Sequence, residues 1–96
     1  MIRVIAKFYL KPNTAAEAAP VLRELIAATR KEAGCREYGV FYETKEPLNY
    51  AFIETWDSQE ALDAHMNTDH FINGFAKLNE LFAKPVEIQI LEELAP

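Results

Sequence analysis

The chain predicts an α+β fold of β-α-β-β-α-β order: a ferredoxin-like, four-stranded antiparallel sheet with its helices on one face. Three observations lead there. Apolar residues alternate with period two in four stretches, recur with helical period in the stretches between, and are separated by turn-forming residues. Hydrophobic residues make up 50% of the 96 and charged residues 26%, the balance of one ordinary globular domain. No linker or repeat divides residues 1–96.

In the first strand, Ile2, Val4, Ala6, Phe8 and Leu10 share one face and Arg3, Ile5, Lys7 and Tyr9 the other. Lys11-Pro12-Asn13 ends it. Thr14-Ala15-Ala16-Glu17 reads as a capping box, in which hydroxyl and carboxylate each satisfy an orphan backbone N–H. Ala18, Leu22, Leu25, Ile26 and Thr29 give the first helix its apolar face, and Arg30, Lys31 and Gly34 close it. Pro20 lacks the amide hydrogen a helix uses, so a kink or a start near that residue is expected.

Residues 36–44 form the second strand, with Tyr38, Val40 and Tyr42 on one face and Phe41 on the other. Residues 45–49 connect it, hairpin-fashion, to a third strand at 50–56. Asp57 and Glu60 are expected to cap a short helix from 58 to about 66. Asn67-Thr68-Asp69 punctuates it, and Phe71, Phe75, Leu78, Leu81 and Phe82 continue as an amphipathic helix. Pro85 opens the last strand, 86–94.

Right-handed crossovers put the helices on one face of this sheet and leave the other bare. Yet Val4 and Ile5, Val40 and Phe41, and Phe52 and Ile53 are apolar on both faces. A second copy, sheet to sheet, is the simplest cover for such a patch, and a homodimer burying about 800 Å² per partner is expected.

Several function classes drop out. A net charge of −5 speaks against a nucleic-acid partner, which requires a basic face. No apolar run reaches the ~18 residues of a membrane span, and Met1-Ile2-Arg3 opens into a strand pattern rather than a signal peptide. The single Cys35 has no thiol partner, which fits a cytoplasmic setting, and reads as a small buried residue. Three scattered glycines offer no phosphate loop for a nucleotide cofactor.

The segment from Glu54 to His70 carries the chemical interest. It holds the one Trp and both histidines within fifteen residues, Trp56 to His70, on a strand–turn–helix unit. A large flat apolar ring beside a group that titrates near neutral pH could make an aromatic pocket with a proton acceptor. In the structural alternative, Trp56 is core, the histidines flank helices, and Glu54 pairs with Arg3 or Arg36. A metal is not expected: five residues turn about 140° around a continuous helix, so His65 and His70 would not share a face.

The opening strand through Lys11-Pro12, the Glu32-Ala33-Gly34-Cys35 turn, Glu54-x-Trp56, Glu60-Ala61-Leu62-x-Ala64-His65 and Thr68-x-His70-Phe71 resemble the antibiotic biosynthesis monooxygenase superfamily, including its quinol monooxygenases. The resemblance runs over nearly the whole chain. It implies a dimeric α/β barrel in which two sheets face each other. Relatives of this kind include oxygenases, an isomerase of a phosphorylated signalling sugar derivative and haem-degrading proteins. The haem branch places Asn, Trp and an axial His where this chain has Ala6, His65 and Phe75, so haem is not expected.

The resemblance implies oxygenation without a cofactor, which requires the substrate itself to supply the electrons. The protein must then bind a flat ring, remove a proton and exclude water. His65, which aligns with the family's recurrent histidine, is the expected base, with Glu54 assisting from the strand face of Trp56. Trp56, Phe52, Tyr38 and Tyr42 are expected to form a ring-binding wall, with His70 beside it. The leading expectation is a cofactor-free monooxygenase of a small aromatic or quinol-type molecule using O₂. Its alternatives are an isomerase of a small carbonyl compound and a non-catalytic dimeric ligand-binding or stress-associated domain.

Overall fold

In the computed structural model, which describes residues 1–95, the strands are β1 (Ile2–Tyr9), β2 (Cys35–Glu43), β3 (Glu46–Trp56) and β4 (Glu87–Glu92). Pro96, counted in the expected domain, lies outside the described residues. The helices are α1 (Ala15–Thr29), α2 (Gln59–Met66) and α3 (Asp69–Asn79). The strands pair antiparallel in the order β2-β3-β1-β4. The expected ferredoxin-like sheet is present, with its second helical stretch divided in two.

Register sets the two faces. Val4 pairs with Glu54 and Ile90, Ala6 with Phe52 and Ile88, and Glu54 in turn with Tyr38. Side chains alternate along a strand, so these residues all face the helices. There Phe8, Phe52, Trp56, Leu25 and Leu78 form the core. On the opposite face Phe41, Ile53 and Leu91 stand exposed.

Local chemistry explains where the elements depart from expectation. Thr14 is already near helical geometry, and its hydroxyl donates back to the Lys11 carbonyl at 2.8 Å instead of capping α1. α1 runs through Pro20 because Pro20 and Ala16 are exposed, so water can serve the carbonyl that Pro20 cannot. The β2–β3 turn shrinks to Thr44-Lys45, and β3 starts at Glu46; Leu48 accepts from the Leu10 amide at 3.0 Å. Ser58, not Asp57, caps α2 by accepting from the Ala61 amide at 3.2 Å, while Asp57 pairs with Arg36. α3 stops at Asn79, leaving Phe82 to bridge Leu10. β4 is shorter than residues 86–94, since its pairing with β1 runs only from Glu87 to Glu92.

The turn between α1 and β2 depends on glycine. Gly34 has φ +84°, and its carbonyl accepts from the Asp57 amide at 2.8 Å. A Cβ there would lie 2.6 Å from the Ala61 Cβ, so only glycine lets this turn lie against α2. Glu32 thereby arrives beside the helical layer.

Candidate active site

Glu32, His65 and His70 converge from three different elements. Glu32 sits in the α1–β2 turn, where its amide donates to the Thr29 carbonyl and its carbonyl accepts from Cys35. His65 lies in the last turn of α2 and His70 in the first turn of α3. Between them Thr68 is extended, donates its hydroxyl to the His65 carbonyl at 2.7 Å and accepts from the Phe71 amide at 3.2 Å. That double cap breaks the helix and re-aims the chain. The 140° argument holds only for a continuous helix, so it fails here. His65 Nδ1 stands 2.8 Å and His70 Nε2 2.7 Å from the same Glu32 oxygen, Oε2.

The carboxylate fixes the state of His65. Glu32 accepts, so the neutral imidazole carries its hydrogen on Nδ1 and leaves Nε2 as a lone pair. Burial pushes the His65 pKa below its ordinary value, and the nearby His70 adds to this; the Glu32 hydrogen bond and charge oppose it. Burial prevails because the ring is almost wholly enclosed. Trp56 lies 4.6 Å away between ring centres, Phe71 5.0 Å and Tyr38 5.5 Å, the last two edge-on.

Glu54 is a carboxylate inside the apolar layer. It accepts the indole N–H of Trp56 at 2.9 Å. Burial raises its pKa to about 7; the Trp56 hydrogen bond works against that rise and the Glu32 charge adds to it. Pairing with Arg3 or Arg36 does not occur: Arg3 belongs to the opposite sheet face, and Arg36 is held by Asp57.

A cavity of about 250 Å³ opens between the sheet and the α2–α3 pair. Val4, Leu62, Phe71 and Phe75 line it, with exposed Ile88 and Ile90 of β4 at its rim. Among the described residues, Glu54 and His65 are the titratable groups on this wall. An apolar concavity with a few convergent polar groups, here Glu54, His65 and Asn79, is the usual form of a small-molecule site.

The sequence-derived site is thus partly assembled. His65 and Glu54 share the cavity. Trp56, Phe52 and Tyr38 lie buried behind it as support, and burial also raises the Tyr38 pKa. Tyr42 is 63% exposed near Tyr50, toward the other end of β2. His70 faces Glu32 and a separate shallow groove beside Leu25 and Lys77. Cys35 is half-buried, its thiol pKa raised first by burial and then by Glu32.

Three residues of the site escaped the sequence reading. Phe71 and Phe75, stacked at 4.6 Å, supply the aromatic wall, although their spacing marked them only as a helix face. Glu32 carries no local signal except Gly34 two residues on, which turns the chain back toward the helices.

A family model described as antibiotic biosynthesis monooxygenase matches residues 1–77. Rv0793 of Mycobacterium tuberculosis, provisionally named a monooxygenase, is 33% identical over 93 residues, covering 97% of this chain and 91% of that protein. The solved structure of a conserved protein from Methanosarcina mazei Go1 superposes with TM-score 0.94 at 38% identity, over 96% of this chain and 91% of that one. A crystal structure described as antibiotic biosynthesis monooxygenase gives TM-score 0.94 at 32% identity, covering 99% and 100% respectively.

Proposed function

This chain belongs to the antibiotic biosynthesis monooxygenase family, and from that membership we propose that it oxidises a small phenolic or quinol-type ring with O₂, without a cofactor. One observation carries the reading: Glu54 and His65 face one apolar cavity large enough for a small ring. The Phe71–Phe75 pair offers that ring a flat wall.

Glu54 is the better proton acceptor of the two. A carboxylate with pKa about 7 is matched to neutral pH, whereas burial lowers the basicity of His65. Glu54 takes a hydroxyl proton from the substrate, and the Nε2 lone pair of His65 orients it by accepting a hydrogen bond from a second hydroxyl. The ring anion passes one electron to O₂, and the two radicals couple at a ring carbon. Glu54 returns its proton to the peroxide oxygen. Loss of water, with departure of the hydrogen on that carbon, leaves a new carbonyl. The substrate supplies all four electrons, so the balance closes without a further reductant.

An oxygen electrode tests this with chelator-treated protein and a panel of quinols and anthrones. Uptake of one O₂ per product, absent in Glu54→Gln, is expected. No uptake with any electron-rich ring would discard the reading and favour an isomerase or a binding role.

The second copy belongs to the same proposal. Phe41, Ile53 and Leu91 on the outer sheet face form a patch that a homodimer, sheet against sheet, would cover.

A further inference from the structure

We propose that Glu32, His65 and His70 constitute a binding site for one divalent transition-metal cation of the Zn²⁺ and Co²⁺ type. Their donor atoms, Oε2, Nδ1 and Nε2, all lie within 4.8 Å of one another. Two imidazole nitrogens and a carboxylate oxygen are the donor set that borderline cations prefer, with bonds of about 2.0–2.2 Å.

The geometry needs a local adjustment. Around a tetrahedral ion with such bonds, neighbouring donors stand about 3.4 Å apart. The two nitrogens, up to 4.8 Å apart, must draw together, while the carboxylate oxygen, now 2.8 and 2.7 Å from them, must withdraw by well under 1 Å from each. Glu32 has the side-chain length to do so, and its neighbours on the chain are a turn rather than a packed helix. The Thr68 cap fixes the backbone between the two histidines, and the partly exposed His70 ring has room to swing toward the ion. The ligands therefore come from a capped helix–helix corner, with one adaptable carboxylate and one adaptable imidazole.

Coordination uses the Nδ1 of His65 and the Nε2 of His70, the nitrogens that now meet Glu32, so each neutral ring would carry its hydrogen on the distal nitrogen. Side-chain exposure rises from 2% at His65 through 14% at Glu32 to 29% at His70. The ion would be reached from the His70 side and would retain water there as its remaining ligand. One consequence reaches the cavity: on coordination, the Nε2 of His65 turns from acceptor to donor.

The test is binding itself and does not depend on turnover. Protein freed of metal by a chelator is titrated with Co²⁺ while visible ligand-field absorption is followed, then back-titrated with Zn²⁺. One equivalent of Co²⁺ per chain, with intense tetrahedral absorption that Zn²⁺ removes, is expected. His70→Ala leaves the buried His65–Glu32 pair intact and should fold; it should weaken binding by at least about 100-fold, since even outer partners of a ligand shift affinity 10–100-fold. His70→Gln and Glu32→Gln should do the same while circular dichroism stays native. Folded wild-type protein that gives neither absorption nor calorimetric heat with millimolar Co²⁺ or Zn²⁺ would overturn the proposal. So would full-strength binding in all three variants, which would place the ion elsewhere.

Discussion

Trp56 donates its indole N–H to Glu54, two residues earlier on the same face of β3, at 2.9 Å. This bond links the largest buried side chain to Glu54, the one buried carboxylate among the described residues. The tryptophan therefore serves the site from behind: it supplies the donor that holds Glu54, and its ring packs against His65. Deleting it would remove about 3–5 kcal/mol of packing and leave a buried carboxylate without its donor.

Glu54 makes activity and stability depend on pH in opposite directions. As the proton acceptor it must be ionised, so turnover should rise with pH through an apparent pKa of about 7. Its folded pKa is raised above the ordinary 4.5, so the folded state holds the proton more tightly than the unfolded state does. Stability from this group is full below pH 4.5 and is lost as pH rises to about 7, a difference of about 3 kcal/mol. Glu54→Gln keeps an oxygen for Trp56 but cannot titrate. It should lose turnover by ~10²-fold or more and be more stable than wild type at pH 8, with no gap at pH 4. Urea unfolding at both values checks this; parallel pH dependence in the two proteins would remove Glu54 from its assigned role.

Glu32 acts through His65. Glu32→Ala strips the acceptor from two imidazoles, one of them buried, and should cost roughly 1–3 kcal/mol. It also frees the His65 tautomer, so kcat should fall more than KM rises. His65→Ala should lower kcat with a smaller loss of stability than Trp56→Ala. Steady-state kinetics beside thermal melts separates these effects; a large KM rise at unchanged kcat in Glu32→Ala would reduce Glu32 to a binding contact.

The strands were legible because the sheet's two faces differ in burial, and alternation records that directly: Ile2, Val4, Ala6 and Phe8 are all buried. Glu54 and His65 were legible because they flank the sole Trp in a short strand–turn–helix. What could not be read depends on geometry far along the chain. Glu32 meets its partners across 33 and 38 residues, through one left-handed glycine and one threonine cap. Trp56, Phe52 and Tyr38 were expected to face a ligand, but large rings on the helix-facing side of the sheet bury themselves first, and the wall passes to Phe71 and Phe75.

Gly34→Ala should be destabilising out of proportion to its one added methyl. The site combines a positive φ with a 2.6 Å approach to the Ala61 Cβ, where no flexible side chain can yield. A loss of about 2–3 kcal/mol is expected from backbone strain and crowding together. The same shift would carry Glu32 away from the histidines. A melt within 1 °C of wild type would mean the turn adapts freely.

The last prediction concerns the outer sheet face. Ile53 sits on a central strand there and is 39% exposed, with exposed Phe41 and Leu91 on the same face. If a second copy covers this patch, Ile53→Asp buries an unpaired charge at the interface while leaving the helical face untouched. Sedimentation equilibrium at micromolar concentration should then show a wild-type dimer and an Ile53→Asp monomer of similar circular dichroism. A contact of about 800 Å² per partner is the standard size of a specific protein–protein interface. A monomeric wild type under those conditions would leave the patch to another partner and end the barrel proposal.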